Sequence, residues 1–538
     1  MKNWISILMV VLCLAGCAPM ENTSGETHTT PDSTPTEDIH GENQATTGCT
    51  QTEEISDENR TILSIDPTKG SPFNNGKFEG WGTSLCWWAN RIGYSDVLAQ
   101  KAADILFNAE IGLGMNIARY NIGGGDDPSH RHITRTDSMM PGFWVLDEAT
   151  GEPVFDGTKD ENQRNVLLRA MEACGSSFIV EAFSNSPPYY MTESGCSSGA
   201  VHAGENNLRA DQVEAFAEYL AQVALYYKEN YGITFQSMSP MNEPNTAYWE
   251  AFSPKQEGCH FNPGESQSAI LLATQKALTE KGLDSILLVG TDETSTVLAA
   301  SSFKRLSEEA KAALDRIDTH TYKIGKLDEL QALAVENGKN LWMSEVDGDG
   351  ALGKNSGEMG AALWLANKMI SDIQGLMPSA WILWQGIDNH VSSEGYMGNQ
   401  DFGMPDLSRG YWGLTVVDHD NEEIYLTKKY YAFGQLSRFI RPGYRILTTT
   451  ERGVLAAYSE EEKKLVIVAV NEEETDVEVG FSLDGFCYNG GTAEVIRTSQ
   501  DESWVALPII AVQEDMLRTT LAPYSITTFV VDNVMISQ

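Results

Sequence analysis

Positive charge is scarce in this sequence. Its 538 residues hold 37 Lys and Arg against 76 Asp and Glu, which gives a net charge of −39 at pH 7. A chain this acidic repels nucleic acid phosphates and anionic membrane surfaces, so we expect no nucleic acid partner. Hydrophobic residues make up 41% of the chain, enough for a large core, which excludes global disorder. The 12 Trp and 19 Tyr favour a neutral, hydroxyl-rich partner that stacks on aromatic rings.

Cysteine is also sparse. The eight residues form no CxxC motif and no Cys/His spacing typical of a metal site, so we expect neither a metal nor a cofactor. His130 and His132 lie two apart in a polar loop, and we interpret them as surface histidines. Cys196 and Cys259 both lie in Gly-rich loops, and we expect them to pair in an oxidising compartment.

Long apolar runs are absent beyond the N-terminus. Residues 5–14 are too few to span a bilayer but match the core of a signal peptide, and they lead into Leu14-Ala15-Gly16-Cys17. This ending resembles a bacterial lipobox, in which Cys17 carries the lipid. The alternative is an ordinary secretory signal with a chance Cys. Residues 18–59 are rich in Thr, Ser, Glu and Pro and predict a disordered acidic tether. We therefore expect an exported, cell-surface lipoprotein that touches the membrane only through its N-terminal lipid anchor.

Strand-like and helix-like segments alternate from about residue 78 to 390. Helical patterns over 210–231, 266–281 and 359–376 separate eight candidate strands, and this order predicts an α/β fold, a (β/α)8 TIM barrel over 78–435. A doubly wound sheet is the alternative, but the first strand lacks a phosphate-binding Gly loop. The candidate strands are 78–84, 115–123, 178–184, 235–241, 285–290, 317–322, 340–346 and 380–385.

After residue 435 the pattern becomes β-like, with turn clusters and little helical periodicity. The segments 454–458, 465–471, 477–481 and 526–531 predict an all-β sandwich domain over 436–538. Residues 61–65, within the stretch 60–77 before the barrel, form a strand with no local partner. We expect that strand to pair with the C-terminal segments, so that the side domain is built from both chain ends.

Two glutamates end apolar strands of the predicted barrel. Glu243 follows strand four in Asn242-Glu243-Pro244, and Glu345 ends strand seven after Ser344. Barrel chemistry collects at the carboxyl ends of the strands, so these carboxylates should face each other across the mouth. Either glutamate alone could be a structural ion pair or a helix cap. Together they indicate cleavage of a glycosidic bond, in which one carboxyl group transfers a proton and the other attacks the anomeric carbon.

Several motifs add a family resemblance. The pair Asn242-Glu243-Pro244 and Ser344-Glu345 resembles retaining glycoside hydrolases with two catalytic glutamates on a barrel. The segments 80–88 (GWGTSLCWW), 119–124 (RYNIGG) and 186–191 (SPPYYM) are similar to glycoside hydrolase family 30, with the greatest likeness to endo-β-1,6-galactanases. The resemblance spans about residues 60–538 and includes the side β domain.

The resemblance implies roles for individual residues. Glu243 would be the acid/base and Glu345 the nucleophile, with Asn242 bonded to the sugar 2-hydroxyl and Arg119 orienting the nucleophile. The remaining candidates would line the sugar subsites, with either Trp87 or Trp88 stacking on sugar while the other packs. They are His320, Tyr322, Trp384, Trp87, Trp88, Tyr189, Tyr190 and Trp249.

One departure from the family bears on the substrate. Glucosylceramidase and xylanase members carry a Pro-Trp pair near the end of strand three, where this chain has Phe183-Ser184-Asn185. Ser184 and Asn185 are therefore candidates for hydrogen bonds that recognise the axial 4-hydroxyl of galactose. The resemblance implies a β-linked polysaccharide or oligosaccharide substrate, namely β-1,6-galactan. One alternative is an enzyme of the same fold that acts on β-1,6-glucan or xylan. The other is a surface glycan-binding protein with a degenerate barrel.

Overall fold

The computed structural model describes residues 61–353, 355–489 and 491–537. The predicted signal peptide, Cys17 and the tether over 18–59 lie outside these residues. No helix in the described ranges is both long and apolar enough to cross a membrane.

Eight parallel strands close into a barrel, each paired with its neighbours in chain order and the eighth with the first. This arrangement confirms the predicted (β/α)8 fold. The strands consist almost wholly of buried residues because helices cover them outside and side chains fill them inside. Barrel strands one to eight are Gly80–Ser84, Ile117–Asn121, Ile179–Phe183, Ser237–Ser239, Leu287–Ser295, Arg316–Lys323, Asn340–Val346 and Ala380–Leu383.

The helices pack around the barrel with apolar faces inward. The helix Met359–Leu376 matches its predicted bounds, and Thr296–Arg305 begins where the Ser295 side chain accepts a hydrogen bond from Leu298 N. The α-helices are Trp88–Ile92, Asp96–Phe107, Glu161–Cys174, Val213–Tyr231, Glu265–Glu280, Thr296–Arg305, Glu308–Ala313, Leu327–Glu336, Met359–Leu376 and Lys428–Ser437.

A nine-stranded sheet forms the side domain. The strand Thr61–Gly70 lies between Arg445–Thr449, to which it is antiparallel, and Val477–Ser482, to which it is parallel. The expectation that both chain ends build this domain is therefore confirmed. In sheet order the strands are Val505–Ala511, Thr492–Thr498, Ser525–Asp532, Lys464–Asn471, Val454–Ser459, Arg445–Thr449, Thr61–Gly70, Val477–Ser482 and Met516–Leu521.

The sheet has its own core and also packs on the barrel. Its two edge strands contact each other, and the sheet folds around buried residues that include Leu63 and Phe529. The helices Met359–Leu376 and Lys428–Ser437 pack against its other face. The predicted division between residues 435 and 436 falls inside the second of these helices.

Short strands complete the loops and the chain end. They form a three-stranded sheet and two antiparallel pairs. Their bounds are Ile387–Val391 with Thr415–Asp418 and Glu423–Leu426, Trp144–Leu146 with Pro153–Phe155, and Phe486–Tyr488 with Val534–Ile536.

Candidate active site

The two glutamates meet at the carboxyl end of the barrel. Glu243 follows strand four and Glu345 lies in strand seven, and their exposed fractions are only 6% and 3%. One carboxylate oxygen of each lies within 4.8 Å of the other and of a His320 ring nitrogen. Two carboxyl groups and an imidazole therefore share one buried centre.

Glu345 is held by two donors. Arg119 Nη1 donates to Glu345 Oε2 at 3.0 Å, and the Tyr322 hydroxyl donates to Oε1 at 3.0 Å. His320 Nδ1 also lies 3.4 Å from Oε1. This set of donors orients the carboxylate and stabilises its anion.

Glu243 is held by a different set. His320 Nδ1 lies 3.1 Å from Glu243 Oε1, and the Tyr248 hydroxyl donates to Oε2. The Trp249 indole donates to the Glu243 carbonyl oxygen at 3.2 Å. A backbone φ of 47° at Glu243 places this residue in the left-handed region, which is uncommon for a side chain of this size.

Asp292, in strand five, connects both glutamates. Arg119 Nη2 donates to Asp292 Oδ2 at 2.6 Å, and His320 Nε2 lies 3.1 Å from Oδ1. Ser344 Oγ donates to the same Oδ1 at 2.7 Å. Since Arg119 and His320 each contact a glutamate as well, Asp292 fixes the orientation of both groups.

Burial and neighbouring charges determine which of these side chains hold a proton. Burial raises the pKa of Glu345 to about 7. Burial alone would also raise the pKa of Glu243, but the hydrogen bonds and charge of His320, with Tyr248, outweigh it and lower that pKa. Burial would lower the pKa of His320, but Glu345 and Asp292 raise it to about 10. A proton is therefore retained in the hydrogen bond between His320 and Glu243 at neutral pH.

The centre opens into a cavity of about 450 Å³ with aromatic walls. Trp87 and Trp384 meet edge to face with ring centroids 5.0 Å apart, and Trp412 stacks on Tyr322 at 6.1 Å. Polar groups of Asn242, Gln256, Asp388, Arg135 and Lys255 share the lining with them. Aromatic faces beside a few polar groups suit a sugar ring, which offers both C–H faces and hydroxyl groups.

The structure places the predicted site residues in three groups. Those that line the cavity are Asn242, Glu243, Glu345, Tyr322, Trp384, Trp87 and Trp249. Arg119 and His320 are fully buried behind the glutamates. Trp88 lies in the barrel core, where its indole donates to the Ser84 carbonyl at 2.8 Å, so of the two tryptophans only Trp87 reaches the cavity.

The other candidates lie outside the cavity lining. Ser184 donates to the carbonyls of Ile122 and Ser186, and the Asn185 amide points at Cys86. Tyr189 and Tyr190 pack on each other at 5.3 Å. Both hydrogen bonds of the Ser184 hydroxyl therefore hold the backbone around the end of strand three.

Sequence reasoning missed Asp292, Tyr248 and Trp412. Asp292 carries the same signal that identified Glu345, an acidic residue at the end of a barrel strand, but strand five was predicted to end at residue 290. Tyr248 and Trp412 lie on loops, and their sequence neighbourhood holds no signal for their place at the cavity.

Two expectations about cysteine and histidine are wrong. Cys196 and Cys259 are both buried free thiols, with Cys196 Sγ next to His132 and Cys259 Sγ facing the His260 carbonyl. His130 and His132 are not surface residues, because their side chains are 23% and 10% exposed. Both histidines gather with Asp126 and Cys196 at the edge of the cleft.

Comparisons with known proteins find glycoside hydrolases. The model of O-glycosyl hydrolase family 30 matches residues 64–320. An endo-β-1,6-galactanase of Hypocrea rufa is 34% identical over 429 residues, 76% of this chain and 81% of the relative. An exo-β-1,6-galactobiohydrolase of Bifidobacterium longum subsp. longum is 26% identical over 65% of this chain and 29% of its own length.

A solved structure shows the same fold. The catalytic domain of a family 30 xylanase C from Talaromyces cellulolyticus aligns with a TM-score of 0.64 and 18% identity, covering 88% of this chain and all of that domain. The barrel, the attached β domain, the paired glutamates and the 34% identical relative lead to one conclusion. The chain is an enzyme that cleaves glycosidic bonds in polysaccharides and belongs to glycoside hydrolase family 30.

Proposed function

We propose that this enzyme hydrolyses β-1,6-galactan by double displacement with retention of configuration. The observation that carries the mechanism is the approach of Glu243 and Glu345 to within 4.8 Å. Retaining enzymes hold their carboxyl groups about 5–5.5 Å apart, whereas inverting enzymes need about 6.5–9.5 Å to admit a water. The identity of the galactanase relative supports the substrate.

Glu345 is the nucleophile in this mechanism. It attacks the anomeric carbon and forms a covalent glycosyl-enzyme, which water then hydrolyses. The donors Arg119 and Tyr322 hold its oxygens in place and favour the anionic form that attacks.

Glu243 is the acid and then the base. A proton lies in the 3.1 Å hydrogen bond between His320 Nδ1 and Glu243 Oε1. When the substrate is bound, this proton can move onto the Glu243 carboxyl group, which then donates it to the glycosidic oxygen of the leaving group. Asp292 accepts from His320 Nε2, which leaves Nδ1 free to exchange that proton with Glu243. In the second step Glu243 takes a proton from the attacking water.

Asn242 is suited to bind the sugar 2-hydroxyl. It lines the cavity beside Glu243, and its Oδ1 is buried without a hydrogen-bond partner. A buried amide oxygen without a partner is costly, so a hydroxyl donor from the substrate would relieve that cost. This contact should strengthen as the transition state forms.

A second cavity favours endo action. It measures about 510 Å³ and shares Arg135 and Lys255 with the first, so the cleft continues past a single sugar. A 1,6-linked chain has an extra torsion between its rings and suits an open cleft of this kind. We therefore expect β-1,6-galactan, including de-arabinosylated arabinogalactan side chains, to yield galactose and short β-1,6-galacto-oligosaccharides.

Parallel digestion of β-1,6-galactan, β-1,6-glucan and xylan tests the substrate. We expect the galactan to be cleaved fastest, and faster cleavage of either alternative would overturn the galactan assignment while leaving the catalytic pair intact. Proton NMR of the first products tests the stereochemistry, with the β-anomer expected first and an α-anomer contradicting retention.

Export and lipid anchoring belong to the same proposal. A cell-surface enzyme tethered through Cys17 and residues 18–59 would meet polymers that cannot enter the cell. The sequence of the N-terminus supports this location.

A further inference from the structure

Four side chains with metal-binding atoms meet at the edge of the cleft. Asp126, His130 and His132 lie on the loop after barrel strand two, and Cys196 lies on the loop after strand three. One nitrogen, oxygen or sulfur atom of each lies within 4.8 Å of those of the other three. This cluster is separate from the catalytic glutamates.

The nearest contacts within the cluster are as short as the separations between zinc ligands. His130 Nδ1 lies 3.5 Å from Asp126 Oδ1, His132 Nδ1 lies 3.3 Å from Asp126 Oδ2, and His132 Nε2 lies 3.4 Å from Cys196 Sγ. Tetrahedral zinc, with ligands about 2.0–2.3 Å away, separates neighbouring ligand atoms by about 3.3–3.7 Å. His132 faces Asp126 with Nδ1 and Cys196 with Nε2, so only one of these nitrogens can bind the ion. With one atom taken from each residue the separations are within 4.8 Å, and the two loops must close to bring all four atoms to zinc distance.

Two nitrogen atoms of the cluster lack a hydrogen-bond partner. Nδ1 of both His130 and His132 is buried without a hydrogen bond. Buried polar atoms are normally satisfied, and two unsatisfied nitrogens beside the Asp126 carboxylate indicate a missing ligand.

The surroundings suit a bound cation. Phe252 N donates to Cys196 Sγ at 3.3 Å, and Ser197 N donates to Asp126 Oδ1 at 3.2 Å. Such donors stabilise a thiolate and a carboxylate that bind a metal. The Phe252 ring lies 5.0 and 5.4 Å from the two imidazoles and shields them from water.

We propose that Asp126, His130, His132 and Cys196 bind one Zn²⁺ ion. Two imidazoles, a thiolate and a carboxylate are a set of ligands that zinc prefers, and binding releases the thiol proton to solvent. Four protein ligands leave no open position, so this zinc is structural.

The ion joins loops that form the cleft wall. The Cys196 loop is bonded to the loop after strand four, where Ala200 N donates to Trp249 O at 3.1 Å and Gly258 N donates to Ser197 O at 2.9 Å. That second loop carries Trp249 and Lys255 of the cavity. Zinc would therefore stabilise one wall of the sugar site from outside it.

Metal analysis of the full chain tests the proposal. The protein is purified reduced and without chelator, stripped, reloaded with Zn²⁺ and desalted, and its zinc is measured by mass spectrometry. Co²⁺ loading supplies a second readout, the near-ultraviolet charge-transfer band of a cobalt thiolate. The variants are Cys196→Ser, His132→Gln and Asp126→Asn, and the matched control is Cys259→Ser, a buried free thiol outside the cluster.

We expect the parent and the control to retain a single zinc ion and to melt at a higher temperature with zinc. Each cluster variant should bind zinc at least about tenfold more weakly. Cys196→Ser should also lose the cobalt band, and circular dichroism identifies any variant that fails to fold. The proposal is wrong if the reloaded parent retains no zinc, or if all folded cluster variants bind zinc as tightly as Cys259→Ser.

Discussion

At the scale of single residues, substitutions of the two glutamates should reduce activity in different ways. Glu345→Ala removes the proposed nucleophile, and we expect kcat to fall roughly 10⁴–10⁶-fold. Glu243→Ala removes the acid, so substrates with poor leaving groups should suffer most. Azide should partly restore turnover of activated substrates and yield a β-glycosyl azide, which NMR and mass spectrometry can identify.

The control for this pair is Glu250→Ala, an exposed glutamate on the loop after strand four. It should retain parental activity. If Glu345→Ala remained active, or if azide rescued it in place of Glu243→Ala, the assignment of the two roles would be contradicted.

The pH dependence also belongs to this scale. Glu345 must be ionised to attack, and its pKa is raised to about 7, so kcat/KM should fall as the pH falls through that value. On the alkaline side, kcat/KM should fall as the His320–Glu243 pair loses its proton, near the His320 pKa of about 10. A bell-shaped profile of kcat/KM measures both limits.

Tyr322→Phe separates the two limbs of that profile. It removes a hydroxyl that donates to Glu345 at 3.0 Å, which destabilises the anion and should move the acidic limb to higher pH. Tyr488→Phe in the β domain is the control, since that hydroxyl donates to Asp515 Oδ1 at 2.8 Å, outside the catalytic barrel. An acidic limb that stays in place in Tyr322→Phe would show that Tyr322 does not stabilise the nucleophile.

At the scale of elements, the strand Thr61–Gly70 joins the start of the chain to its end. Leu63 is 5% exposed in the core of the β domain, whereas the adjacent Ile62 is 49% exposed. Leu63→Ala should lower the free energy of unfolding by about 2–5 kcal/mol. Ile62→Ala should change it far less. Chemical denaturation followed by fluorescence compares the two, and equal effects would contradict the inward placement of Leu63.

Most elements were predictable because their patterns are local. The strand Asn340–Val346 and the helix Met359–Leu376 have their predicted bounds. The sequence predicts strand five over 285–290, but the strand runs from Leu287 to Ser295. Its second half was missed because those residues are polar and face the catalytic centre. The hydrophobic pattern of a strand ends where its side chains become the polar groups of the site. For this reason the sequence did not identify Asp292 as a site residue.

At the scale of the whole molecule, anchoring is the open prediction. Cys17→Ser should release the protein from membranes or block its maturation, because a single cysteine at the cleavage site would carry the lipid. Fractionation of cells that express each form measures this, with Cys49→Ser in the tether as the control. A Cys17→Ser protein that fractionates with membranes as the parent does would refute the lipoprotein interpretation.

The sequence by itself determined the barrel, the side β domain and the pair of glutamates that we propose as catalytic. Strand periodicity and the motifs around Glu243 and Glu345 lie within a few residues, and a closed barrel always brings its strand ends together. Only the tertiary structure decided which of Trp87 and Trp88 lines the cavity, and that Asp292 joins Arg119 to His320. It also placed Cys196 beside His132, 64 positions away, and not beside Cys259. Such contacts depend on how separate loops pack against each other, which no local pattern in the chain encodes.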